Sequence, residues 1–335
     1  MKRLGIALLG AGRMGQVHAE LLASIPEAAV VAVADPVREN AERGAFLARA
    51  SRVYLDPLEA LEDPGVEGVV IVTPTPTHAP LIREAAQRGK AIFCEKPVAL
   101  DLASTREALA EVRARGVPFQ IGFQRRFDPG YARAKASLEA AELGRVDQFR
   151  AVSRDPAPPP LAYLQASGGI VVDMSVHDLD LARFLVGEVE EVLAWGAVRV
   201  DPRIGEVGDW DTVTILLRFQ GGALGVVENS RQAVYGYDIR TEVFGERGKL
   251  VVEAAPKTPL YRYGPGEEVR VDHYHYFTDR FREAYRYELQ AFVRGVLEGK
   301  PLSPGPEDAL ETLRLALAAT RSLKEGRPVK VAEVE

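Results

Sequence analysis

The pair Asp173 and His177 is the first place in the sequence where residue types and spacing suggest chemistry. Four residues apart on a helix, the two side chains share one face. A histidine near its ordinary pKa accepts a hydroxyl proton at neutral pH, and a neighbouring carboxylate orients the ring and stabilises the imidazolium. The structural alternative is that Asp173 is a helix N-cap and His177 a hydrogen-bonded side chain of the fold.

Lys96 is the second candidate, in the tripeptide Glu95-Lys96-Pro97 that follows an apolar run at residues 91–94. If that run is a strand of a parallel sheet, the lysine lies at the carboxyl edge, where ligands bind. There its ammonium group donates to a substrate hydroxyl or stabilises an alkoxide. The alternative is a surface lysine with no role in chemistry.

A GxGxxG motif follows the first apolar run and opens the first helical pattern. Its glycines allow a tight turn, close approach of backbone to a pyrophosphate, and close helix–strand packing, while the helix N-terminus supplies amides for phosphates. Asp35 ends the second apolar run, where a carboxylate binds the adenine ribose and repels a 2′-phosphate. The sequence therefore predicts NAD in preference to NADP, with Arg38 nearby to soften that preference. The predicted cofactor-binding residues of the motif are Gly10, Gly12, Arg13, Met14 and Gly15.

A loop rich in threonine and proline follows the fourth apolar run and also lies at the predicted ligand edge. Its threonines are placed to face the ribose of the cofactor, although a plain strand-to-helix loop explains the same residues. Together with Glu95 and Lys96, the loop completes the predicted cofactor-binding set through Thr73, Pro74, Thr75 and His78.

Metal binding is a competing explanation for Asp173 with His177, and for His273 with His275, which share a face on a strand. No Cys/His pair at zinc-ligand spacing accompanies either pair, so we predict that the protein uses no metal. Cys94 has no base partner nearby in the sequence and is expected to fill a buried strand end.

The elements that must position these residues follow two patterns. The first third of the chain alternates short apolar runs, at 4–9, 29–34, 68–72 and 91–94, with helical patterns at 14–24, 36–49, 78–88 and 102–115. Such alternation predicts a doubly wound α/β domain with a parallel sheet. Asp35 and Asp101 stand at N-cap positions, and Gly89 and Gly116 stand just past helix ends.

After about residue 122 the pattern changes. Successive strands separated by tight turns predict a mostly antiparallel sheet in an α+β domain, so we expect two domains, residues 1–122 and 123–335. The predicted strands lie at 146–154, 189–200, 212–219, 223–230, 237–244 and 249–253, and the predicted helices at 129–143, 172–185, 277–297 and 307–324.

Composition limits the function classes. A chain of 335 residues exceeds the usual size of one core, and 47% hydrophobic with 27% charged residues is typical of a soluble globular protein. The net charge of −6, without a basic block, argues against nucleic acid as a partner. The longest uncharged stretch, 156–172, contains four prolines and cannot be a membrane helix.

The same composition indicates where the protein works. One cysteine excludes an intrachain disulfide and fits a reducing compartment, so we expect a cytoplasmic location. Scarce asparagine, cysteine and methionine with 22 prolines are typical of a thermophile, whereas the excess of arginine over lysine also follows from genome composition.

Taken in order, the glycine motif, the threonine–proline loop, the Glu95-Lys96-Pro97 tripeptide and the Asp173/His177 pair resemble the glucose–fructose oxidoreductase/inositol dehydrogenase family over essentially the whole chain. Longer strings at residues 93–97, 122–131, 235–238 and 280–285 resemble bacterial inositol 2-dehydrogenases in particular. The resemblance implies a Rossmann domain, an open-faced and mostly antiparallel sheet domain for substrate binding, and sheets that meet between subunits in homodimers or homotetramers.

The resemblance also implies roles for individual residues. His177 would be the general base that removes the hydroxyl proton, while Lys96 and Asp173 position that hydroxyl as hydride passes to NAD. The Lys96–Pro97 peptide is expected to be cis. The expected polyol pocket includes Arg125, Asp155 and Tyr237.

Four positions depart from the pattern of inositol dehydrogenases. Ser153 replaces a usual histidine, Asp155 an asparagine, Met174 a threonine and Gln124 an apolar residue. Changed pocket residues alter the substrate more readily than the reaction. We therefore expect an NAD-dependent dehydrogenase of a cyclic polyol or sugar, first of all myo-inositol. Scyllo-inositol, an aldose or a keto-sugar are the alternative substrates, and a non-catalytic regulator that senses NAD and sugar is the alternative function.

Overall fold

The computed structural model describes residues 2–258, 260–265, 267–270 and 272–335, and it divides into two compact units. Unit 1 comprises Met1–Phe127 with Glu283–Leu313, and unit 2 comprises Asp128–Arg282 with Arg314–Glu335. The single domain boundary predicted at residue 122 would put the segment Glu283–Leu313 in the second domain. In the structure this segment belongs to unit 1.

Unit 1 is built on a six-stranded sheet in which every neighbouring pair of strands is parallel. Its first strand is buried along its whole length, as expected of a continuous apolar run covered on both faces. In chain order the strands are β1 (Leu4–Leu9), β2 (Ala28–Ala34), β3 (Arg52–Tyr54), β4 (Gly68–Ile71), β5 (Ala91–Glu95) and β6 (Phe119–Gly122). The sheet order β3-β2-β1-β4-β5-β6 is that of a dinucleotide-binding fold, which confirms the predicted architecture.

Helices connect these strands, and three of their ends follow the predicted chemistry. The Asp101 side chain accepts a hydrogen bond from Ser104 N and caps the fifth helix, while Gly89 and Gly116 adopt left-handed backbone just past helix ends. The helices are α1 (Arg13–Ala23), α2 (Arg38–Ala48), α3 (Pro57–Glu62), α4 (His78–Gln87) and α5 (Leu102–Arg115), with short 3-10 turns at Thr75–Thr77 and Gln124–Phe127.

Unit 2 contains a seven-stranded mixed sheet in the order β12-β11-β7-β10-β9-β8-β15. Only the pair β7 and β10 is parallel among these neighbours, so the prediction of a mostly antiparallel sheet is confirmed. Its strands are β7 (Val146–Arg154), β8 (Val189–Ala197), β9 (Thr212–Phe219), β10 (Leu224–Ser230), β11 (Asp238–Gly245), β12 (Gly248–Val252) and β15 (Val329–Lys330); β13 (Tyr261–Gly264) and β14 (Glu267–Arg270) pair separately.

The large sheet of unit 2 has one buried and one exposed face. Along β9, Val213, Ile215 and Leu217 are buried while Leu216 between them is 40% exposed, which is the alternation of a half-covered sheet. Short helices connect its strands, and α8 lies against β7 and β10. The helices are α6 (Pro129–Glu139), α7 (Leu161–Ala166), α8 (Val176–Leu185), α9 (Pro202–Glu206) and α10 (Phe277–Arg280), with a π-helical turn at Val171–Ser175 directly before α8.

Two helices close the chain, α11 (Arg282–Glu298) and α12 (Pro306–Glu325). The predicted helix at 277–297 is in fact divided into α10 and α11. Within unit 1, Phe292 of α11 packs edge-on against Phe93 of β5 with ring centroids 5.9 Å apart, and Gln120 Nε2 of β6 donates to Glu288 O at 3.0 Å. The apolar face of α11 is thus buried against the parallel sheet, which is why this segment belongs to unit 1.

Candidate functional site

The glycine loop between β1 and α1 has the shape that its sequence predicts. Gly10 has a φ of +92°, and a Cβ there would lie 2.7 Å from Val72 O. A Cβ on Gly15 would lie 2.1 Å from Gly10 O, so the start of α1 packs directly on the loop. Both positions therefore require glycine, one for the turn and one for helix–strand contact.

Gly12 is different, because a Cβ at this position would meet no atom of the described chain within 4 Å. Gly12 is the N-cap of α1; no side chain in the described part of the protein caps the helix there, and its first turn carries no acidic residue. Open space beside uncapped helix amides fits a pyrophosphate that approaches the backbone closely. The loop thus fits the phosphates of a dinucleotide on geometry as well as on sequence.

Asp35 lies immediately after β2 and is 7% exposed. Its Oδ2 accepts a hydrogen bond from Ala11 N at 2.8 Å, and its Oδ1 accepts one from Val37 N at 2.9 Å. The prediction that Asp35 is an N-cap is wrong, because α2 begins at Arg38 with Val37 as its N-cap. The carboxylate instead binds the glycine loop, which ties the acidic residue to the phosphate-binding turn.

Arg38 lies on the exposed first turn of α2, where its Nη1 is 3.7 Å from Glu42 Oε1. A surface pair of this kind contributes little stability. The idea that Arg38 softens the preference for NAD stays a prediction.

Replacing Asp35 by asparagine is expected to weaken NAD binding about 10- to 100-fold, since a charge-assisted hydrogen bond to the ribose contributes about 1.5–3 kcal/mol. An asparagine oxygen still accepts from Ala11 N, so the loop keeps its anchor while the charge that repels a 2′-phosphate is lost. Titration of both NAD and NADP measures affinity and selectivity. Asp101→Ala, which removes a helix cap elsewhere in unit 1, is the control and should leave both affinities unchanged. Unchanged affinity and selectivity in Asp35→Asn would contradict the ribose assignment.

His78, a predicted cofactor-binding residue, is 2% exposed. Its Nδ1 lies 2.8 Å from Pro97 O and its Nε2 lies 2.7 Å from Thr73 O. Burial lowers the pKa of His78, while the two carbonyl oxygens act to raise it. The histidine therefore links the loop of Thr73 to the loop of Lys96, because both of its ring nitrogens contact main-chain carbonyl oxygens.

Lys96 directly follows β5, and its peptide bond to Pro97 is cis, as the resemblance implies. The preceding residue, Glu95, places Oε1 2.8 Å from Nε2 of the fully buried His18. Glu288 of α11 is also fully buried, and burial together with the nearby Glu95 raises its pKa well above the ordinary value, which favours its neutral form. Neither His18 nor Glu288 was predictable as a site residue, because nothing in their local sequence pattern distinguishes them from other helix residues.

Cys94 lies in β5 and is fully buried. Burial raises the pKa of its thiol well above the ordinary value, so the nucleophilic thiolate is disfavoured. The expectation that Cys94 fills a buried strand end is confirmed.

In unit 2, Asp173 lies within the π-helical turn and His177 lies in the first turn of α8. The regular α-helix predicted over 172–185 is wrong at its start, and π turns occur often at functional sites. The N-cap interpretation of Asp173 is also wrong, since Ile170 and Ser175 hold the N-cap positions of the two segments. Asp173 Oδ1 instead accepts a hydrogen bond from the hydroxyl of Tyr163 at 2.8 Å.

Arg231 is the second partner of this carboxylate, with Nη1 and Nη2 each 3.3 Å from Asp173 Oδ2. It follows β10 and is 1% exposed. The sequence carries no signal for this role, because an arginine after a strand is usually a surface residue.

Three of the four residues that depart from the inositol dehydrogenase pattern are buried, and the fourth, Asp155, is half-buried. Ser153 is 0% exposed, and its hydroxyl donates to Asp178 Oδ1 at 2.8 Å, while Asn229 Nδ2 donates to Asp178 Oδ2 at 2.7 Å. The Ser153 hydroxyl thus bonds to the fold through Asp178. Gln124 and Met174 are also buried.

The predicted pocket and catalytic residues are divided between the units. Unit 1 carries Lys96 and Arg125, and unit 2 carries Asp155, Asp173, His177 and Tyr237. Asp155 N donates to Ser230 O at 3.0 Å, and the buried Tyr237 packs edge-on against Phe281.

Two features of the described residues bear on other classes of function. No group of three or more histidine, cysteine, aspartate or glutamate side chains in that part of the chain is arranged to hold a metal ion. None of its helices is both long and apolar enough to cross a membrane.

Comparison with known proteins agrees with this geometry. A model of the oxidoreductase family with an NAD-binding Rossmann fold matches residues 4–123, and a model of the GFO/IDH/MocA C-terminal domain matches residues 131–251. The myo-inositol 2-dehydrogenase of Thermotoga maritima is 41% identical, over 98% of this chain and 99% of that protein. The scyllo-inositol 2-dehydrogenase (NAD(+)) of Bacillus subtilis is also 41% identical, over 97% of this chain and 95% of that protein.

A solved structure shows the same relationship. The scyllo-inositol dehydrogenase from Lactobacillus casei, with bound NAD(H) and scyllo-inositol, matches with a TM-score of 0.92 at 29% identity, over 99% of this chain and 100% of that chain. With its parallel sheet, its glycine loop open at Gly12 and its mixed C-terminal sheet, this chain belongs to the GFO/IDH/MocA family of NAD-dependent oxidoreductases.

Proposed function

We propose that the protein is an inositol dehydrogenase, which oxidises one secondary hydroxyl of a cyclic polyol to a ketone with NAD. Myo-inositol is the first substrate and scyllo-inositol the second, since relatives that are each 41% identical over nearly the whole chain are named for them. The observation that carries the proposal is that the chain retains Lys96, Asp173 and His177 in a fold with an NAD-binding loop. A non-catalytic regulator would have no need of this set.

Each of these residues has a separate task in the proposed reaction. His177 takes the proton from the reacting hydroxyl, and Asp173 orients the hydroxyl and the imidazole and stabilises the imidazolium that forms. Lys96 donates to the same oxygen and stabilises its negative charge as the carbonyl forms. When held by the glycine loop and Asp35, NAD would supply the hydride acceptor for the carbinol carbon, at C4 of its nicotinamide ring.

Recognition of the remaining hydroxyls is proposed for Arg125, Asp155 and Tyr237. A site built to hydrogen-bond each hydroxyl rejects analogues that lack one, so these residues select among polyols. Because Ser153 bonds to Asp178, we propose that its hydroxyl leaves recognition of the polyol to these three residues.

The experiment that tests this function is the initial rate of NAD reduction, followed by absorbance, with a panel of inositols, aldoses, keto-sugars and hydroxy acids. Turnover confined to myo- or scyllo-inositol supports the proposal. Faster turnover of an aldose or keto-sugar would move the substrate assignment to that class. NAD binding without any turnover would favour the regulator.

We also propose that the exposed face of the unit 2 sheet joins subunits into a homodimer or homotetramer. Leu216 pairs with Leu193 on one side and with Val226 on the other, and Trp195 on the next strand is 55% exposed on the same face. An exposed apolar patch of this kind is typical of a subunit interface. Phe244 on β11, near the other edge of the sheet, is 43% exposed.

Replacing Leu216 by glutamate is expected to shift the protein toward monomer, because a charge would have to be desolvated in the interface. Light scattering coupled to size-exclusion chromatography measures the mass. Phe46→Glu, at an 83% exposed phenylalanine of α2 in unit 1, is the matched control and should keep the native mass. A monomeric wild type, or an unchanged mass in Leu216→Glu, would contradict the proposed interface.

Two expectations from composition complete the proposal. A reducing, cytoplasmic location is supported by the single buried cysteine, and a thermophilic source is supported by the scarcity of thermolabile residues. We expect neither a membrane nor a nucleic acid as partner.

A further inference from the structure

Arg231 is among the largest fully buried side chains of the protein, and it lies between two carboxylates of unit 2. Its Nη1 and Nη2 are each 3.3 Å from Asp173 Oδ2, and Nη2 is 3.9 Å from Asp209 Oδ2. A buried guanidinium must be paired, because an uncompensated charge in the interior is strongly unfavourable. The pairing with Asp173 therefore has consequences for both groups.

Hydrogen bonds and ion pairs hold Arg231 both at its backbone and at its guanidinium group. Arg231 N donates to Asp211 O at 2.8 Å, which anchors its backbone just after β10. On the other side of the head group, Asp209 Oδ1 accepts from Ile170 N at 3.0 Å, immediately before the π-helical turn that contains Asp173. The arginine is thus tied to the segment that carries the carboxylate.

The Asp173 carboxylate has a donor on each oxygen. The Tyr163 hydroxyl donates to Oδ1 at 2.8 Å, and Arg231 donates to Oδ2. An adjacent positive charge and hydrogen bonds to the charged form both favour an ionised carboxylate. Around Asp173 lie Arg231 from the end of β10, with Asp209 behind it, Tyr163 from α7, and His177 four residues further along the chain.

We propose that Arg231 is a positioning residue of the reaction, which holds the Asp173 carboxylate in place and keeps it ionised beside the general base. The inference rests on the proposed function, because it assigns Arg231 a task through Asp173. An ionised carboxylate in a fixed orientation can stabilise the imidazolium of His177, whereas a protonated or rotated one cannot. Displacement of a catalytic group by about 1 Å can reduce the rate about 100-fold.

The kinetic test compares Arg231→Gln and Arg231→Lys, each assayed with NAD and with myo- and scyllo-inositol. We expect Arg231→Gln to lower kcat about 100-fold while the KM for NAD stays within about twofold. Arg231→Lys keeps the positive charge and should therefore recover part of the lost kcat. We expect this recovery even if its melting temperature equals that of Arg231→Gln. Arg203→Met removes an exposed Arg–Asp pair of unit 2 and is the control with unchanged kcat.

A double variant shows whether Arg231 acts through Asp173. If it does, Asp173→Asn with Arg231→Gln should be no slower than Asp173→Asn alone, because the arginine then has no carboxylate to position. Losses that multiply would show that the two residues act independently, and would overturn the inference.

A second readout needs no turnover. In protein labelled with ¹³C at the aspartate carboxyl carbons, the Asp173 signal is the one absent from Asp173→Asn. Removing the nearby positive charge in Arg231→Gln should raise the titration midpoint of that signal by about one pH unit or more, and Arg203→Met should leave it unchanged. An unchanged midpoint in Arg231→Gln would overturn the inference.

The outcomes separate this inference from the proposed function. If Asp173→Asn has a low kcat and Arg231→Gln a normal one, only the role of Arg231 is overturned. If Asp173→Asn keeps a normal kcat, or the wild type turns over neither inositol, the proposed function is overturned. The carboxyl titration then decides whether Arg231 keeps Asp173 ionised.

Discussion

Replacing His177 by alanine is expected to lower kcat about 10²- to 10⁴-fold, which is the usual contribution of a general base, while the dissociation constant of NAD stays nearly unchanged. The reason is that His177 is proposed to act on the substrate hydroxyl, whereas the glycine loop and Asp35 are proposed to hold the cofactor. Steady-state rates of NAD reduction with inositol give kcat, and titration of the protein with NAD gives the affinity.

The control for this variant is His275→Ala, which removes an exposed histidine of unit 2. We expect normal kcat and normal NAD affinity for it. If His177→Ala turned over inositol as fast as the wild type, another group would have to accept the hydroxyl proton and the base assignment would be wrong.

Replacing Lys96 by methionine is expected to lower kcat about 10²- to 10³-fold, as the loss of one preorganised donor to a developing oxyanion usually does. Methionine keeps much of the length and apolar character of the side chain, so the change tests the ammonium group rather than packing. Steady-state kinetics and a thermal melt on the same preparation separate the two effects.

Lys324→Met is the matched control, at an exposed lysine in the last turn of α12. Its kcat and melting temperature should equal those of the wild type. A Lys96→Met variant with normal kcat would restore the interpretation of Lys96 as a surface lysine. A lowered melting temperature without a change in kcat would assign it to the fold alone.

Much of unit 1 was predictable because its signals are local. The apolar run of β1 is found at the predicted residues, Leu4–Leu9, and α5 is found at the predicted Leu102–Arg115 with its cap at Asp101. In a doubly wound fold each strand is buried on both faces and each helix follows its strand within a few residues. A window of about fifteen residues therefore contains the information needed to predict each of these elements.

Short elements and long-range packing were not predictable in this way. The three residues of β3 are too few for a periodic pattern, and β15 consists of two residues that pair with β8 from the far end of the chain. The return of α11 to unit 1 depends on contacts such as Phe292 against Phe93, about 200 positions apart in the sequence. No local pattern encodes which surface such a helix will cover.

For the candidate site, residue types and spacing predict the chemistry: a glycine loop for phosphates, an acidic residue for the ribose, a lysine and an aspartate–histidine pair for an alcohol. They left the environment of each group open. The contact of Asp35 with Ala11, the π turn at Asp173 and the burial of Arg231 against that carboxylate appear only in the folded chain. The physical reason is that motif chemistry depends on neighbours in sequence, whereas charge, burial and orientation depend on neighbours in space.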